Sequence, residues 1–415
     1  MHPTTSAQSV AEQMAGIDPT TIIPRLAELI VGFGANVQPG QIVALGAELG
    51  KEELTRAITG AAYRRGASFV EVTYVDPHIK RQRVLNADPA TLETYPSWFG
   101  ERVLALGDQR CARIGLSGTT EPHLLDDLDP ALVGREQSAP RHEAMRVINE
   151  RTTNWCAAPC VTPGWASLVF PAMDADTGVA KLWQELAWIC KLDHEDPIAA
   201  WNVRMEELRR AADALMSHRF DALHFTGPGT DLTVGLLPTS KFVFAAFETA
   251  DGLPHMPNIP SEEVFTAPDP LRTNGVVRAT KPLFTNGSLI EGLVVEFRDG
   301  RVVRIDADKN ADALRSLVER DEGAARLGEL ALVDGAGRVG ATGTTYFDTL
   351  LDENAASHIA LGAAYAFTVD DEDVQRVNTS QIHIDFMIGG TDVAVAGVSA
   401  DGTETPVLVE GAWRI

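Results

Sequence analysis

A histidine and an aspartate stand two residues apart in the segment QIHIDFMIGG, residues 381–390. Most of the surrounding residues are apolar, and Gly389-Gly390 ends the run. This pattern predicts a buried strand on which His383 and Asp385 project from the same face. Because burying an unpaired charge is costly, the pair needs a partner, and a bound cation would supply one.

A second candidate stretch is TLLDENAASHIALGAAY, residues 349–365, which contains Glu353, His358 and Tyr365. We interpret it as a helix whose N-terminus is capped by Asp352. His358 and Tyr365 are seven residues apart and would share one face, with Glu353 about one turn before the histidine. The alternative is an ordinary capped helix with a packed histidine.

Two further carboxylates stand in unusual settings. Glu329 lies in the middle of RLGELALVD, residues 326–334, which the pattern predicts to be an apolar strand. Glu262 and Glu263 form a pair in a proline-rich loop, immediately before the apolar Val264. Taken singly, each has a simpler interpretation, because an isolated glutamate usually faces solvent.

Taken together, these residues form a donor set for metal ions. Imidazole nitrogens and carboxylate oxygens suit Zn, Mn, Co or Fe(II). A two-metal site also needs several carboxylates, one of which can bridge the ions. The candidate ligands all fall in the second half of the chain: Glu263, Glu329, Glu353, His358, His383 and Asp385.

The elements that would position these residues differ between the two halves of the chain. Before residue 225, strand-like runs such as QIVALGAE and SFVEVTYVD alternate with helical patterns, which favours an α/β layer with a largely parallel sheet. After it, FDALHFTGPGTDLTVGL predicts two strands around a turn, and Asp299-Gly300 predicts a hairpin. We therefore expect a mobile polar tail at residues 1–20, an α/β domain at 21–225, and a β-rich α+β catalytic domain carrying the metal site at 226–415.

Composition argues against several classes of function. The chain of 415 residues has a net charge of −23, which disfavours binding to nucleic acid and anionic membranes. It has no Walker-type P-loop, and its four cysteines lack the spacing of a zinc site. The N-terminus lacks the features of a signal peptide, and no apolar run is long enough to cross a bilayer. These features predict a cytoplasmic protein with reduced thiols.

Four motifs, in order along the chain, resemble the aminopeptidase T/aminopeptidase S family of dinuclear metalloaminopeptidases: NIPSEEVFTAPD, LGELALV, TLLDENAASHIALGAAY and HIDFMIGG. The segment GPGTDLTVGL, residues 227–236, is also similar to that family. The resemblance covers most of the chain from about residue 20 and is densest from 220 to 390. It departs from the family at AFTVDDEDVQRV, which is short and acidic, and at an extended N-terminal tail. The first departure could alter the pocket rim, but neither touches a ligand position.

The resemblance implies a two-domain enzyme, usually a homodimer, that removes N-terminal residues from peptides with a free N-terminus. It also implies two divalent ions (Zn, Co, Mn or Mg) held by the six candidate ligands, with Glu329 as the bridge. Tyr365 matches a tyrosine at the site, either as a ligand or near the reacting carbonyl, where it would donate to the oxyanion; the alternative is a core tyrosine. The proton shuttle to the leaving amine would be Glu353 or Glu263.

Other functions need only part of this set. His358, His383 and Asp385 match the facial triad of a mononuclear non-haem Fe(II) site, and ring-cleaving dioxygenases of hydroxypyridines are similar to the same family. Such a triad does not require the three glutamates, so the number of carboxylates favours the dinuclear hydrolase. A metal-stabilised binding protein without catalysis is a third interpretation.

Overall fold

The first half of the chain alternates helices with short strands. The structure is a computed structural model that describes residues 7–136, 140–285 and 288–415. The strands of this half are β1 (Ile42–Glu48), β2 (Phe69–Val75), β3 (Ala112–Ser117) and β4 (Trp155–Pro159). Its helices are α1 (Ala7–Ala15), α2 (Pro19–Leu29), α3 (Glu52–Arg64), α4 (Pro77–Asn86), α5 (Ser97–Asp108), α6 (Pro130–Arg135), α7 (Arg141–Asn149), α8 (Pro163–Val169), α9 (Ala175–Ile189) and α10 (Pro197–His218).

The four strands form a parallel sheet in the order β2-β1-β3-β4. One face of the central strand β1 is buried through Val43, Leu45 and Ala47, which belong to the same apolar core as the inner side of α3. The opposite face carries small or polar side chains, including Ala44 and Gly46. The predicted α/β layer with a parallel sheet is therefore confirmed.

The second half of the chain is built mainly from antiparallel strands. They are β5 (Ala222–Gly227), β6 (Thr230–Leu236), β7 (Val243–Phe244), β8 (Phe247–Glu248), β9 (Pro254–His255), β10 (Glu263–Thr266), β11 (Pro268–Arg278), β12 (Leu283–Thr285), β13 (Ser288–Ile290), β14 (Val294–Arg298), β15 (Arg301–Asp306), β16 (Leu327–Val333), β17 (His358–Gly362), β18 (His383–Met387), β19 (Ala394–Val398), β20 (Glu404–Val409) and β21 (Ala412–Trp413). The helices are α11 (Ala311–Val318), α12 (Arg338–Ala341) and α13 (Thr349–Asp352). None of the described helices is long and apolar enough to cross a membrane.

Two sheets dominate this half. An eight-stranded sheet has the order β15-β14-β11-β6-β5-β19-β20-β21. A five-stranded sheet has the order β18-β17-β16-β10-β7, with every neighbouring pair antiparallel. Strands β16 and β17 are buried along their whole length, so the acidic and basic side chains on them lie inside the protein.

The two halves share one continuous apolar core, which extends from Val10 to Leu408. The indole of the fully buried Trp165 donates to the carbonyl of Tyr346 across the halves, at 2.6 Å. Strand β4 also bonds to the segment before β10, because Ala157 N donates to Pro257 O at 2.7 Å. Strand β4 therefore lies directly beside the segment that leads to Glu263.

The structure places part of the predicted mobile tail, residues 1–20, in a helix and in the core. Residues 7–15 form α1, and Val10 and Ile17 are buried in the core. The spacing of Val10, Met14 and Ile17 is that of one helix face. The mostly polar composition of the segment makes this apolar face easy to overlook. Residues 1–6 lie outside the described residues.

The predicted boundary near residue 225 falls inside a strand. Helix α10 ends at His218 and β5 begins at Ala222, so the change from helices to antiparallel sheet occurs between them. The predicted hairpin is confirmed: Asp299 and Gly300, both with positive φ, connect β14 to β15, as the two-residue turn requires.

Candidate metal centre

The five-stranded sheet carries five of the six candidate ligands on four neighbouring strands. Glu263 begins β10 and Glu329 lies in β16, while His358 begins β17. His383 and Asp385 lie on β18, as predicted. Ala360 of β17 pairs with Glu329 on one side and with Asp385 on the other. A small side chain between the two carboxylates leaves space above the sheet for a bound group.

The closest contacts in the cluster join histidine nitrogens to glutamate oxygens. His358 Nε2 lies 3.1 Å from Glu263 Oε2 and 3.5 Å from Glu329 Oε1. The second oxygen of Glu329 lies 3.6 Å from His383 Nε2. The two oxygens of one carboxylate thus face two different histidines, as a bridging ligand would.

Three overlapping groups of side chains have ligand atoms within 4.8 Å of one another. Glu329 is the residue shared by the group with Glu263 and His358 and the group with His383 and Asp385. The third group consists of Glu353, His358 and Asp385. Glu353 enters from the turn after α13, residues 353–355, rather than from the sheet. All six predicted side chains therefore converge.

Both histidines are oriented by backbone carbonyls behind them. His383 Nδ1 lies 2.7 Å from Ala363 O, and His358 Nδ1 lies 3.3 Å from Ala356 O. Because a carbonyl can only accept, each Nδ1 carries the proton, and each Nε2 is presented to the carboxylates. Histidines that bind metals are commonly held in this way.

Burial and crowding shift the titration of the cluster strongly. Burial, reinforced by Asp385 and Glu263, raises the pKa of Glu353 well above its ordinary value. Burial opposes charge on His383, but the Asp385 and Glu329 carboxylates outweigh it and raise the pKa of that imidazole to about 10. In the metal-free protein, protons therefore balance the carboxylates.

The donor set fits divalent metal ions. Four buried carboxylates and two histidines meet without any lysine or arginine among the ion pairs of the described residues. His358 Nε2 and Glu263 Oε2 are buried, yet neither has a hydrogen-bond partner of acceptable geometry in the described structure. Buried polar atoms without partners are costly, and a divalent cation would satisfy both.

A cavity of about 250 Å³ opens onto the cluster. Aromatic rings of Phe247, Phe265 and Tyr365 form part of its wall, with the rings of Phe265 and Tyr365 5.9 Å apart. Trp155 of β4 contributes from the first half of the chain. Asn258 also lines the cavity, and its amide lies 3.4 Å from Glu353 Oε1.

The chain matches a known family over almost its whole length. The family profile described as Thermophilic metalloprotease (M29) matches residues 20–413. The chain belongs to the M29 metalloprotease family. The M29 protein described here is therefore a metal-dependent peptide hydrolase.

Individual relatives match along nearly their whole length. The chain is 40% identical to "Aminopeptidase T" of Thermus aquaticus over 405 residues, which cover 95% of this chain and 99% of the relative. It is 36% identical to "Aminopeptidase PepS" of Streptococcus thermophilus, covering 95% and 98%. The solved structure of wild-type AmpT from Thermus thermophilus superposes with a TM-score of 0.86 at 39% identity, covering 96% of this chain and all of that one. None of these relatives is an oxygenase, so the Fe(II) alternative gains no support.

One predicted element of this M29 protein is wrong. Residues 358–362 form strand β17, not a helix, so His358 and Tyr365 do not share a helix face. Asp352 is the last residue of α13 rather than a cap before it, and its Oδ1 accepts from Tyr346 N at 3.0 Å. The run HIALG is short and entirely buried, and such a run fits either a central strand or a buried helix.

Tyr365 nevertheless lines the cavity by a different route. The chain leaves β17 at Gly362, which has a φ of 106°, and the Tyr365 ring then lies 5.8 Å from the His383 ring. Burial and the surrounding carboxylates raise the pKa of Tyr365 well above its ordinary value. The hydroxyl therefore stays protonated at neutral pH.

Sequence reasoning missed the contributions of Trp155, Phe247 and Asn258. Asn258 falls in the motif NIPSEEVF, so the resemblance contained a signal for it. Trp155 and Phe247 offered none, because an aromatic residue beside a strand-like run usually belongs to the core.

Proposed function

We propose that this M29 protein is an aminopeptidase that hydrolyses the N-terminal residue from peptides with a free N-terminus. Two divalent ions (Zn, Co, Mn or Mg) would be held by Glu263, Glu329, Glu353, His358, His383 and Asp385. The position of Glu329 carries the proposal, because its two oxygens face two different histidines at 3.5 and 3.6 Å. A site for a single ion would not need a carboxylate shared in this way.

Two bound ions would supply an activated water at neutral pH and polarise the scissile carbonyl. The protein's own groups then have separate tasks. Tyr365, whose raised pKa keeps the hydroxyl protonated, would donate a hydrogen bond to the oxyanion that develops on the carbonyl oxygen. The side chains around it exclude water from one side of the cavity.

The proton for the leaving amine requires a carboxylate that can reach the substrate. Glu353 lines the cavity, belongs to one of the three ligand groups, and is contacted by the amides of Asn258 and Asn354 at 3.4 and 3.5 Å. Amides are weak partners compared with cations, so Glu353 retains acceptor capacity and is our first candidate for the shuttle. Glu263 is the second.

Restriction to the N-terminus follows from the charge and size of the site. A free α-amino group is a cation, and the cluster offers carboxylates on several sides. The cavity of about 250 Å³ has room for one side chain and little room for peptide backbone preceding that residue. The comparison proteins named aminopeptidases support the same activity.

The assembly is proposed from the resemblance. We propose a homodimer, which light scattering on the metal-loaded protein would measure directly. A monomer at micromolar concentration would contradict it without affecting the site.

The first test is metal content measured beside activity. Elemental analysis of metal-reconstituted protein should give two divalent ions per chain, and Leu- or Arg-p-nitroanilide should be hydrolysed only with metal. Conversion of Glu329 to Gln should remove one equivalent, whereas Glu296→Gln, an ion-paired residue of β14, is the matched control. One iron per chain with no hydrolysis would reject the proposal and lead to oxygen-uptake assays with dihydroxypyridines.

A further inference from the structure

A second, larger cavity lies on the open face of the parallel sheet. It has a volume of about 700 Å³. Its floor is made of small residues on neighbouring strands, Gly46 of β1 and Gly115 of β3, and a Cβ added at Gly115 would meet no atom within 4 Å. Helix α5 supplies Val103 and Leu106 to one wall. The floor leaves room for an extended ligand backbone.

Arg113 of β3 lines this groove without an anionic partner. Among the described residues, no carboxylate forms an ion pair with its guanidinium, and no acceptor bonds to that side chain. Burial and the like charge of Arg102 lower its pKa. Arg102 itself is held by Glu71 at 2.8 Å and by Thr73 at 3.2 Å. A half-buried cation is costly unless it is paired, so the groove presents a positive charge that a ligand can neutralise.

The carboxylate that lines the groove, Glu48, already has partners. Glu48 lies 3.7 Å from Lys51 Nζ and accepts from Thr120 Oγ1 at 3.0 Å. The contrast with Arg113 is notable in a chain whose net charge is −23. An anion would therefore be drawn to the Arg113 end of the groove.

This groove adjoins the cavity at the candidate metal centre. Trp155 and Ala157 of β4 line both cavities. Trp155 is the register partner of Arg113 and Ala157 is that of Gly115, so each pair points to the same side of the sheet. A peptide with its N-terminal residue at the metals can leave across Trp155 toward Arg113.

We propose that Arg113 receives a carboxylate of the peptide substrate downstream of the scissile bond. The proposal rests on the proposed aminopeptidase activity and narrows its substrates to short peptides with a free C-terminus, or to peptides with an acidic side chain at that position. Both sources share one chemistry, a carboxylate bound by a guanidinium through charge-assisted hydrogen bonds.

The test compares free-acid and amidated peptides with metal-loaded enzyme. Leu-(Gly)n peptides of increasing n, each as the free acid and as the C-terminal amide, would be assayed for kcat/KM. At one value of n, we expect the kcat/KM of the free acid to exceed that of the amide by about tenfold or more, which is the range of one charge-assisted contact. Arg113→Met should reduce that ratio toward one, and Arg113→Lys should restore part of it. Arg56→Met, which removes an exposed cation from α3, should leave the ratio unchanged.

Two further arms separate the possible outcomes. The first arm compares amidated peptides that carry either Glu or Gln in place of one Gly. A preference for the Glu peptide that requires Arg113 would identify a side-chain carboxylate as the ligand. Equal rates for acids and amides at every length, with no preference for Glu, would overturn the proposal. If no peptide is hydrolysed, the proposed function fails instead, and calorimetric titration with Gly-Gly and its amide tests the role of Arg113 separately. Preferential binding of the acid that disappears in Arg113→Met supports that role. Equal binding of the acid and the amide overturns it.

Discussion

Glu262 and Glu263 are neighbours in the chain and both are buried, but their carboxylates meet opposite surroundings. Glu262 accepts from Arg204 Nε at 2.5 Å. The same guanidinium holds Asp334 at 2.6 Å. Glu263 faces His358 and other carboxylates, with no lysine or arginine paired to it in the described structure. Two consecutive residues thus belong to two different charge clusters: arginine neutralises the cluster of Glu262, and no lysine or arginine of the described structure neutralises that of Glu263.

The difference shows which buried charges serve the fold. A buried carboxylate matched by a guanidinium is costly to disturb, but it needs nothing from outside. A group of carboxylates matched only by histidines and protons still leaves buried ligand atoms without partners, and a divalent cation would satisfy them. In this protein the uncompensated cluster marks the candidate metal centre more directly than any single motif.

The two clusters are also mechanically linked. The backbone N–H of Glu262 donates to the side chain of Asn354 at 2.6 Å, and Asn354 follows the candidate ligand Glu353. The Asn354 amide in turn donates to Leu350 O at 2.8 Å. The neutralised cluster therefore holds the two segments that present Glu263 and Glu353.

The largest effect on turnover should come from removing a charge in the candidate metal centre, where no lysine or arginine of the described structure is paired with the carboxylates. We expect Glu329→Gln to lose one metal equivalent and to lower turnover by more than about 100-fold, which exceeds the usual effect of residues that only orient ligands. The metal-free variant should be at least as stable as the parent, because a buried charge has been removed. Elemental analysis, kcat and urea unfolding measure the three quantities. Near-normal turnover with two ions would reject the bridging role.

Disturbing the cluster of Arg204, Glu262 and Asp334 should instead change stability and leave metal binding intact. Arg204→Met should lower the free energy of unfolding by about 3–5 kcal/mol, because Glu262 and Asp334 would remain buried without their partner. The folded fraction should still bind two ions. If this variant does not fold, Arg204→Lys keeps the charge and should show a smaller loss. A variant that keeps its stability but loses metal would contradict the separation of the two clusters.

Two tyrosines, the half-buried Tyr365 and the fully buried Tyr346, allow the same comparison for hydroxyl groups. Tyr365 faces the candidate metal centre, whereas the hydroxyl of Tyr346 donates to Glu185 at 2.9 Å. Tyr365→Phe should lower kcat by about 10²–10³-fold, the usual effect of losing one oxyanion donor, with metal content unchanged. Tyr346→Phe should instead lower stability and leave kcat of the folded enzyme intact. Loss of metal from Tyr365→Phe would make this tyrosine a ligand.

How far the sequence predicts these features depends on the range of the interactions. The parallel sheet and strands β16 and β18 follow from local patterns of apolar residues, and the six candidate ligands follow from their residue types and the family resemblance. Their roles as ligands remain predictions. The local pattern alone does not separate Glu262 from Glu263, because the partner of Glu262, Arg204, is 58 residues away in the chain.

Other features depended on tertiary contacts that no local pattern reports. The run HIALG contains Ala and Leu, which suit helices, but its position between β16 and β18 makes it strand β17. The groove at Arg113 exists because one face of the parallel sheet is left open. An isolated arginine on a strand-like run carries no such information.

Asp348 is intermediate between Glu262 and Glu263, because its carboxylate has hydrogen-bond donors but no cationic partner among the described residues. The pH dependence of stability tests how far those donors compensate its charge. Its carboxylate accepts from Gly118 N at 2.8 Å and from Ser117 Oγ at 3.2 Å, across the two halves, but no described residue forms an ion pair with it. Burial raises its pKa from 3.8 to about 6. The nearby Asp352 contributes to this rise, and the hydrogen bonds and Lys51 oppose it.

The sign of the pH effect follows from this raised pKa. Between pH 4 and 6 the folded protein binds the Asp348 proton more than the unfolded chain does, so this residue lowers stability as the pH rises through that interval. Asp348→Asn should therefore gain stability relative to the parent from pH 4 to 7, by at most about 2–3 kcal/mol. Urea unfolding in a chelator measures the difference, with the exposed Asp371→Asn as control. A difference that is constant with pH would mean that the two donors compensate Asp348 as fully as Arg204 compensates Glu262.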